Sequence, residues 1–510
     1  MNAQAPVPSA SPAAPAQATP SKREQKLQSI LEVAQAMTAE RHLDQLLPLI
    51  LSQAARVVEA ERCSLFVLDR DRDELWSKVA QGTASEIRVK NGQGIAGAVA
   101  QTGSVLNLAD AYEDERFNRS FDDASGFRTR SLLCVPMRDA AGEVTGVLQA
   151  LNKTDGTPFT DDDAELLMVL GGQAAVAIEN ALLHDEINRL FEGFVAASVV
   201  AIESRDPTTA GHSGRVADLT VSLATTLERL STGPYANLRF SGAELQELRY
   251  ASLLHDFGKV GVREPVLVKA EKLYPHELDL LRARFELARQ DRRLRSYERR
   301  LQRVRTMGPE SFADVDAEEE ERLSRELAEL DAFFEFVLTC NRPTVLAQGG
   351  FERLSELSHV TFEDSRRAPR PLLTDGEVQK LSIPKGSLSK EERLEIESHV
   401  EHTFKFLTQI PWTRSLRNVP EIAYAHHEKL NGNGYPRAIP DRQIPVQSKM
   451  MAISDIFDAL TASDRPYKKA VPVTLALDIL HQEAKAGQVD PELLRVFVEA
   501  EIPRRALGLK

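Results

Sequence analysis

The run His426-His427-Glu428-Lys429-Leu430-Asn431-Gly432-Asn433-Gly434-Tyr435-Pro436 sets two adjacent imidazoles, an acid and a glycine-rich turn side by side. Neutral imidazole is the commonest ligand for a divalent metal, and closely spaced glycines let a loop backbone approach a ligand. Far upstream, His255-Asp256 closes an apolar run, and Lys259 follows about one helical turn later. A carboxylate that bridges two cations, with a lysine nearby as a point charge, is equipment for cleaving a phosphodiester with activated water.

These pieces must be held by a multidomain chain. Its 510 residues, 42% hydrophobic and 27% charged, suffice for several globular domains, each with its own core. The net charge of −13 repels polyanions, so no nucleic-acid partner and no anionic membrane surface is expected. A small anionic substrate therefore needs local cations. Cys63, Cys134 and Cys340 lack C-x-x-C spacing, which suits a reducing, cytoplasmic setting without a disulfide frame. Residues 1–22, rich in Ala, Pro, Ser and Gln and without a signal-peptide core, read as a disordered tail. The most apolar later stretch, Phe194 to Ile202, reads as too short to span a bilayer.

After helix-period residues from Leu27 to Val58, the apolar run Cys63 to Leu68 ends at Asp69-Arg70-Asp71-Arg72-Asp73, a strand and a polar turn. Further strands fit Leu75 to Ala80, Glu86 to Lys90, Ser131 to Met137 and Thr145 to Lys153, giving an α+β sensor domain over 23–183. Gly92-Gln93-Gly94-Ile95-Ala96-Gly97 satisfies G-x-G-x-x-G, but no acid-ended βαβ unit follows it. The better reading is that these glycines let a helix start close to a sheet.

The same region contains Asp122-Asp123-Ala124-Ser125-Gly126-Phe127-Arg128-Thr129-Arg130-Ser131, with Asn152-Lys153 ahead of Phe159 and Asp163. It resembles the GAF family, and within it the cyclic-nucleotide-binding GAF domains of phosphodiesterases and bacterial adenylate cyclases. The resemblance implies a cyclic nucleotide bound by Ser64, Ile95, Ala96, Asp122, Ser125, Thr129 and Gln149. Gln149 stands where a Glu is usual, and Ala164 replaces the Glu that ends the Asn-Lys signature.

From Asp163 on, Leu166, Leu170, Ala174, Ala177, Ala181, Ile187, Leu190 and Phe194 recur near a 3.6-residue period. One long helix is expected to lead out of the sensor, with 184–202 as a signalling helix, and its stripe suits a parallel pair with a second chain. A homodimer through the GAF domain and this helix follows.

The remainder, 203–510, reads as all-α. It contains Gly211-His212-Ser213-x-Arg215-Val216, Leu254-His255-Asp256-x-Gly258-Lys259, and His399 on a helix from Glu391 into Phe406. It also contains the His426 to Pro436 run and Asp455-x-x-Asp458-Ala459-Leu460-Thr461-Ala462-x-Asp464-Arg465-Pro466-Tyr467-Lys468. Together these resemble the HD-GYP family, the cyclic-di-GMP phosphodiesterase branch of the HD superfamily. The resemblance implies His212, His255, Asp256, His399, His426, His427 and Asp455 as ligands of two divalent metal ions. A mixed imidazole and carboxylate set suits iron or manganese. The implied product is linear pGpG, GMP or both, with Asp256 and Lys259 catalytic and with Lys259, Gly434, Tyr435, Pro436, Arg465 and Lys468 binding substrate.

Two positions depart from that family. Thr208 replaces a Glu associated with a third metal, which favours two ions, and Thr403 replaces a glycine, which is expected to narrow the space beside the metal. His402 reads as a surface or supporting histidine rather than a further ligand. The alternative to an enzyme is a catalytically weak cyclic-dinucleotide-binding interaction protein.

Material over about 274–385 is an insertion. Leu278, Leu281, Phe285, Ala288, then Leu294, Tyr297, Leu301 and Val304, and again Leu323, Leu327, Leu330, Phe334 and Val337 keep 3-4 spacing. They predict a helical hairpin whose Arg-rich first helix faces Glu318-Glu319-Glu320-Glu321 of the second, for docking a protein partner or stabilising a dimer.

Overall fold

The computed structural model describes residues 35–37, 39–77, 87–206, 210–308, 312–343, 350–462 and 470–506. The predicted tail, Thr208, Arg465 and Lys468 lie outside these. The chain divides into two compact units, Met1–Glu192 and Gly193–Lys510.

In the first unit α1 (Leu43–Val57) leads into β1 (Ala60–Asp69), β2 (Glu74–Ser77) and β3 (Ile87–Lys90). Then follow α2 (Gly94–Thr102), β4 (Leu106–Leu108), α3 (Ser120–Ser125), β5 (Leu132–Arg138), β6 (Val144–Lys153) and α4 (Asp161–Arg205). The strands form one sheet in the order β3-β2-β1-β6-β5-β4, every pairing antiparallel. Alternation along β1 sends Leu65 and Val67 to one face and Phe66 to the other. On the first face they pack with Leu46, Ile50 and Ala54 of α1 and Leu167, Leu170 and Ala174 of α4. On the second, Phe66 and Val147 pack with Ile95 and Val99 of α2. A Cβ on Gly97 would lie 2.8 Å from the Lys90 carbonyl oxygen, so the glycine run serves close helix–strand approach. The short β4 was missing from the sequence reading, its three residues giving too brief a pattern.

The helix α4 is the one long helix expected, but its apolar stripe is used otherwise. It is continuous over 45 residues, and the boundary between the units falls inside it rather than at a separate segment. By length and composition it is also long enough to cross a membrane, although half of its most apolar window is buried within the fold. Leu166, Leu170, Ala174, Ala177 and Ala181, expected to help pair with a second chain, are consumed by the sheet. The exposed face instead carries Val169, Val176, Leu183 and Leu190 at seven-residue intervals, with Ile187 among them.

The second unit is mostly helical. The elements α5 (His212–Leu227), α6 (Gly242–Leu254) and α7 (Glu264–Leu267) precede the insertion helices α8 (Pro275–Met307) and α9 (Phe312–Asn341). After α10 (Gly350–Ser358), β7 (Thr361–Glu363) and β8 (Pro369–Pro371) pair antiparallel, so the unit is not wholly α. Next come α11 (Asp375–Leu381), α12 (Lys390–Glu397), α13 (His399–Leu407), α14 (Val419–Tyr424) and α15 (Val446–Thr461). The unit closes with α16 (Val473–Lys485), α17 (Pro491–Glu499) and α18 (Ile502–Ala506). The single helix expected around His399 is two helices with Ser398 between them.

The insertion has its own core, in which Leu281, Phe285 and Ala288 of α8 meet Leu330 and Val337 of α9, Leu354 and Phe362. Antiparallel charge matching is realised by Arg299 with Glu319 at 2.9 Å and by Arg303 with Glu318 at 2.7 Å. That pairing occupies basic side chains that a polyanion would need.

Candidate metal centre

Five separate segments deliver the donors, four of them the imidazoles. Gly211, with φ of 68°, starts α5 and makes His212 its first residue. Ser241 and Glu244 form a capping box at the start of α6, and His255 and Asp256 lie at its far end, where a 3₁₀ turn over Phe257–Gly261 begins. His399 opens α13, His426 and His427 follow α14, and Asp455 lies on the buried face of α15.

Three of these rings are locked alike. Nδ1 of His255, His399 and His426 meets the main-chain oxygen of Ser252, Ile396 and Ala423 at 2.7, 2.6 and 2.6 Å. A carbonyl oxygen only accepts, so each Nδ1 carries the proton and each Nε2 presents a lone pair. All three Nε2 atoms are buried and lack a hydrogen-bond partner. Leaving such atoms unsatisfied costs about 1–3 kcal/mol each. Ligand atoms within 4.8 Å of one another form three groups: His212, His255, Asp256; His255, His426, Asp455; and His399, His426, His427.

Asp256 joins these groups. Its Oδ2 lies 3.4 Å from His255 Nε2 and 3.7 Å from His212 Nε2, while its Oδ1 lies 3.2 Å from His399 Nε2. A carboxylate oxygen facing the lone pair of a buried imidazole is acceptor against acceptor, which a cation between them resolves. Asp455 sits opposite, with Oδ1 3.2 Å from His212 Nε2 and Oδ2 4.0 Å from His427 Nδ1. The donor set therefore fits divalent cations, with Asp256 shaped to span two positions.

Electrostatics keep the donors in their ligating forms. Burial lowers His255, and burial with the adjacent His427 holds His426 well below its ordinary value. Burial lowers His427 to about 3 despite the pull of Asp455. Burial by itself would raise Asp256, but Lys259, His255 and His399 hold its carboxyl well below the usual range. His212 differs: burial disfavours its charge, yet Asp455 and Asp458 prevail and raise it to about 9.

Several residues assigned no role from the sequence brace the site. Asp458 accepts from Arg215 Nε at 2.6 Å and lies 2.7 Å from His212 Nδ1. Its signal was the three-residue spacing from Asp455, which puts both on one helix face. Asp206, just past α4, lies 3.5 Å from Lys259 Nζ, whose other partner is Asp256 at 2.8 Å. Burial works against the Lys259 ammonium, and Asp256 with Asp206 outweighs it. Buried Glu428 accepts from the amides of Arg437 and Ile439 at 2.8 and 3.1 Å, tying down the loop after the histidine pair.

Within that loop a Cβ on Gly434 would lie 2.3 Å from the Lys429 nitrogen, so this glycine meets a packing demand. Tyr435 places its ring 4.7 Å from that of His427, beside the cluster. Thr403, expected to narrow the space beside the metal, also braces the site. Its hydroxyl donates to the His255 carbonyl at 2.9 Å and accepts from the Gly258 amide at 2.8 Å, joining α13 to the His-Asp turn. Gly258 is where α13 crosses, since a Cβ there would lie 1.9 Å from the His399 carbonyl oxygen. His402 packs over Gly261 and joins none of the three donor groups among the described residues.

The first unit holds a separate cavity of about 530 Å³. Ser64, Ile95, Ala96, Asp122, Thr129 and Gln149 all line it; the Ser125 side chain lies outside the described residues. Asp122 accepts from Thr129 Oγ1 at 2.8 Å and from Tyr112 Oη at 3.0 Å, which orders one wall.

Comparison with known proteins agrees with this division. Residues 42–178 match the GAF domain family and residues 360–493 the HD domain family. The chain thus carries a GAF domain followed by an HD-type domain. The HD match excludes His212, His255 and Asp256, which reach the centre only through the fold. A stretch of 175 residues is 36% identical to the dual 3′,5′-cyclic-AMP and -GMP phosphodiesterase 11A of Takifugu rubripes, covering 32% of this chain and 19% of that one. Another, of 176 residues, is 35% identical to the probable 3′,5′-cyclic phosphodiesterase pde-5 of Caenorhabditis elegans, covering 32% and 24%. The chain thus spans a quarter or less of these relatives' length. A solved GAF domain from a phosphoenolpyruvate-protein phosphotransferase of Coxiella burnetii is 23% identical over 32% of this chain and 99% of that one, with a TM-score of 0.30.

Proposed function

We propose that the second unit is a metal-dependent cyclic-nucleotide phosphodiesterase whose substrate is cyclic di-GMP, acting in the cytoplasm under control of the GAF domain. The observation that carries this reading is the trio of buried, unpartnered Nε2 atoms of His255, His399 and His426, the first two of which face Asp256. His212, His255, His399, His426, His427, Asp256 and Asp455 would hold two cations, iron or manganese. Bound there, they would supply Lewis-acid activation of water and neutralise phosphoryl charge. The protein's own contribution is order. Main-chain carbonyls fix three tautomers, Asp458 aims His212, and the Lys259 ammonium offers a positive charge to a phosphate arriving beside Asp256. The relatives' names support the coarser reading, hydrolysis of a cyclic nucleotide. The HD-GYP resemblance supports the finer one.

Incubating anaerobically prepared protein with cyclic di-GMP and manganese or ferrous iron tests it. Linear dinucleotide or GMP from the wild type but not from His255→Ala is expected; intact substrate from a folded, metal-loaded wild type overturns it.

For the first unit we infer a cyclic nucleotide in the 530 Å³ cavity, because six residues picked by resemblance line that one space. For the homodimer, the exposed heptad series Val169, Val176, Leu183, Leu190 on α4 provides a seam for a parallel second copy.

A further inference from the structure

Opposite faces of α8 have different fates. Leu281, Phe285 and Ala288 are sealed into the insertion's own core, whereas Leu280, Leu287, Leu294 and Leu301 are 63, 54, 49 and 67% exposed. Those four leucines recur every seven residues. Ala283, Gln290 and Tyr297, three residues further on in each heptad, are exposed on the same side, and the half-buried Val304 completes the series. The sequence reading assigned Leu294, Tyr297 and Leu301 to the hairpin's packing; the structure turns them outward. Sustained seven-residue spacing follows the seam of a left-handed pair of helices, and a patch meant for a small ligand has no need of it. From Leu280 to Leu301 the seam runs about 32 Å.

We propose that this seam binds α8 of a second copy of this chain, with the two helices antiparallel. Layer sizes support that orientation. Aligned antiparallel, Leu280 meets the second copy's Val304, Ala283 its Leu301, Leu287 its Tyr297, and Gln290 its Leu294. Each alanine then faces a leucine across a twofold axis, as a self-complementary interface requires. A parallel pair would oppose Ala283 with alanine, leaving a gap, and Gln290 with glutamine, stacking two amides.

Charge agrees. Asp279 and Glu286 flank one side of the seam's first half, and Arg293 and Arg300 flank the same side of its second half. Antiparallel helices lay the acidic half beside the basic half. In a parallel pair attraction and repulsion would alternate, Asp279 with Arg284 and Arg293 with Glu298 against Glu286 with Asp291 and Arg300 with Arg305. Both flanks also carry pairs within their own chain: Asp279 with Arg282, Glu286 with Arg289 and Arg300 with Asp316 and Glu320 on the first, and Arg284 with Glu377, Asp291 with Arg295 and Glu298 with Arg367 on the second.

The test uses the full chain, whose three native cysteines are buried. Ala283→Cys and Leu301→Cys together should give a covalent dimer on mild oxidation, while either change alone should not. In one helix these positions are about 27 Å apart and cannot bridge each other. Adding Leu287→Glu with Leu294→Glu, both at exposed positions, should cut the crosslinked fraction at least tenfold without altering thermal unfolding. Crosslinking by the single variants as strong as by the pair would overturn the antiparallel seam, and so would absence of any covalent dimer, including the case in which copies associate through α4 alone. Hydrolysis is not the readout, so this outcome is independent of the phosphodiesterase reading.

Discussion

The metal centre and the GAF cavity are both concave sites, yet they are built on opposite terms. The first gathers buried polar atoms whose lone pairs lack partners, held by main-chain carbonyls and by carboxylates that are themselves braced. The second is a space between a sheet and helices in which Asp122 and Thr129 satisfy each other. An unsatisfied polar cluster is unstable unless something binds it, whereas a satisfied cavity persists with or without its ligand. The former calls for a resident ion, and the latter suits a signal that comes and goes.

The largest break in this contrast is expected from His255→Ala. Losing a donor shared by two of the three groups should remove bound metal and lower hydrolysis more than about 1,000-fold, read by metal content and product formation, with cyclic-nucleotide binding in the first unit unchanged. Asp458→Asn acts one bond further out. It keeps the volume but weakens the partner that aims His212, and metal affinity should fall about 10- to 100-fold in a chelator competition.

The GAF domain offers a test on stability instead. Lys153 Nζ and Asp163 Oδ2 are 2.5 Å apart and buried, and Asp163 also accepts from Thr160 at the start of α4. Burial would raise the Asp163 carboxyl, but Lys153 and Thr160 hold it below its ordinary value. A carboxyl depressed on folding stabilises above its unfolded pKa, and that stability is lost as pH falls through the folded one. Asp163→Asn should cost the first unit about 2 kcal/mol near neutrality in urea unfolding, and the gap to wild type should close toward pH 3. The smallest effect is expected from Thr129→Val, which deletes one hydroxyl in the cavity wall. About 1 kcal/mol of stability and a modest loss of cyclic-nucleotide affinity should follow, with metal content unaffected.

Much of both sites was legible before any coordinates. Contiguous motifs carry their chemistry openly, so His212, His255, Asp256, His399, His426, His427 and Asp455 were all named, as were six residues now seen around one cavity. Strands β1, β5 and β6 were readable because their apolar runs are long, while β4 was too short. Asp206 and Glu428 escaped because nothing local distinguishes a bracing carboxylate from a solvated one. The bracing part of Thr403 also escaped, because a substitution at a motif position shows what was lost and not what the new hydroxyl bonds.

Taken alone, the chain's residues determined which donors exist, their spacing along helices and turns, and the seven-residue periods of α4 and α8, because these depend on neighbours in sequence. Only the tertiary structure decided which periodic face is consumed by a core and which is left exposed. It alone brought His255 and His426 to a ring separation of 4.9 Å with Nε2 atoms unpaired. Burial and hydrogen-bond satisfaction are properties of the whole packed unit, and no stretch of sequence holds them by itself.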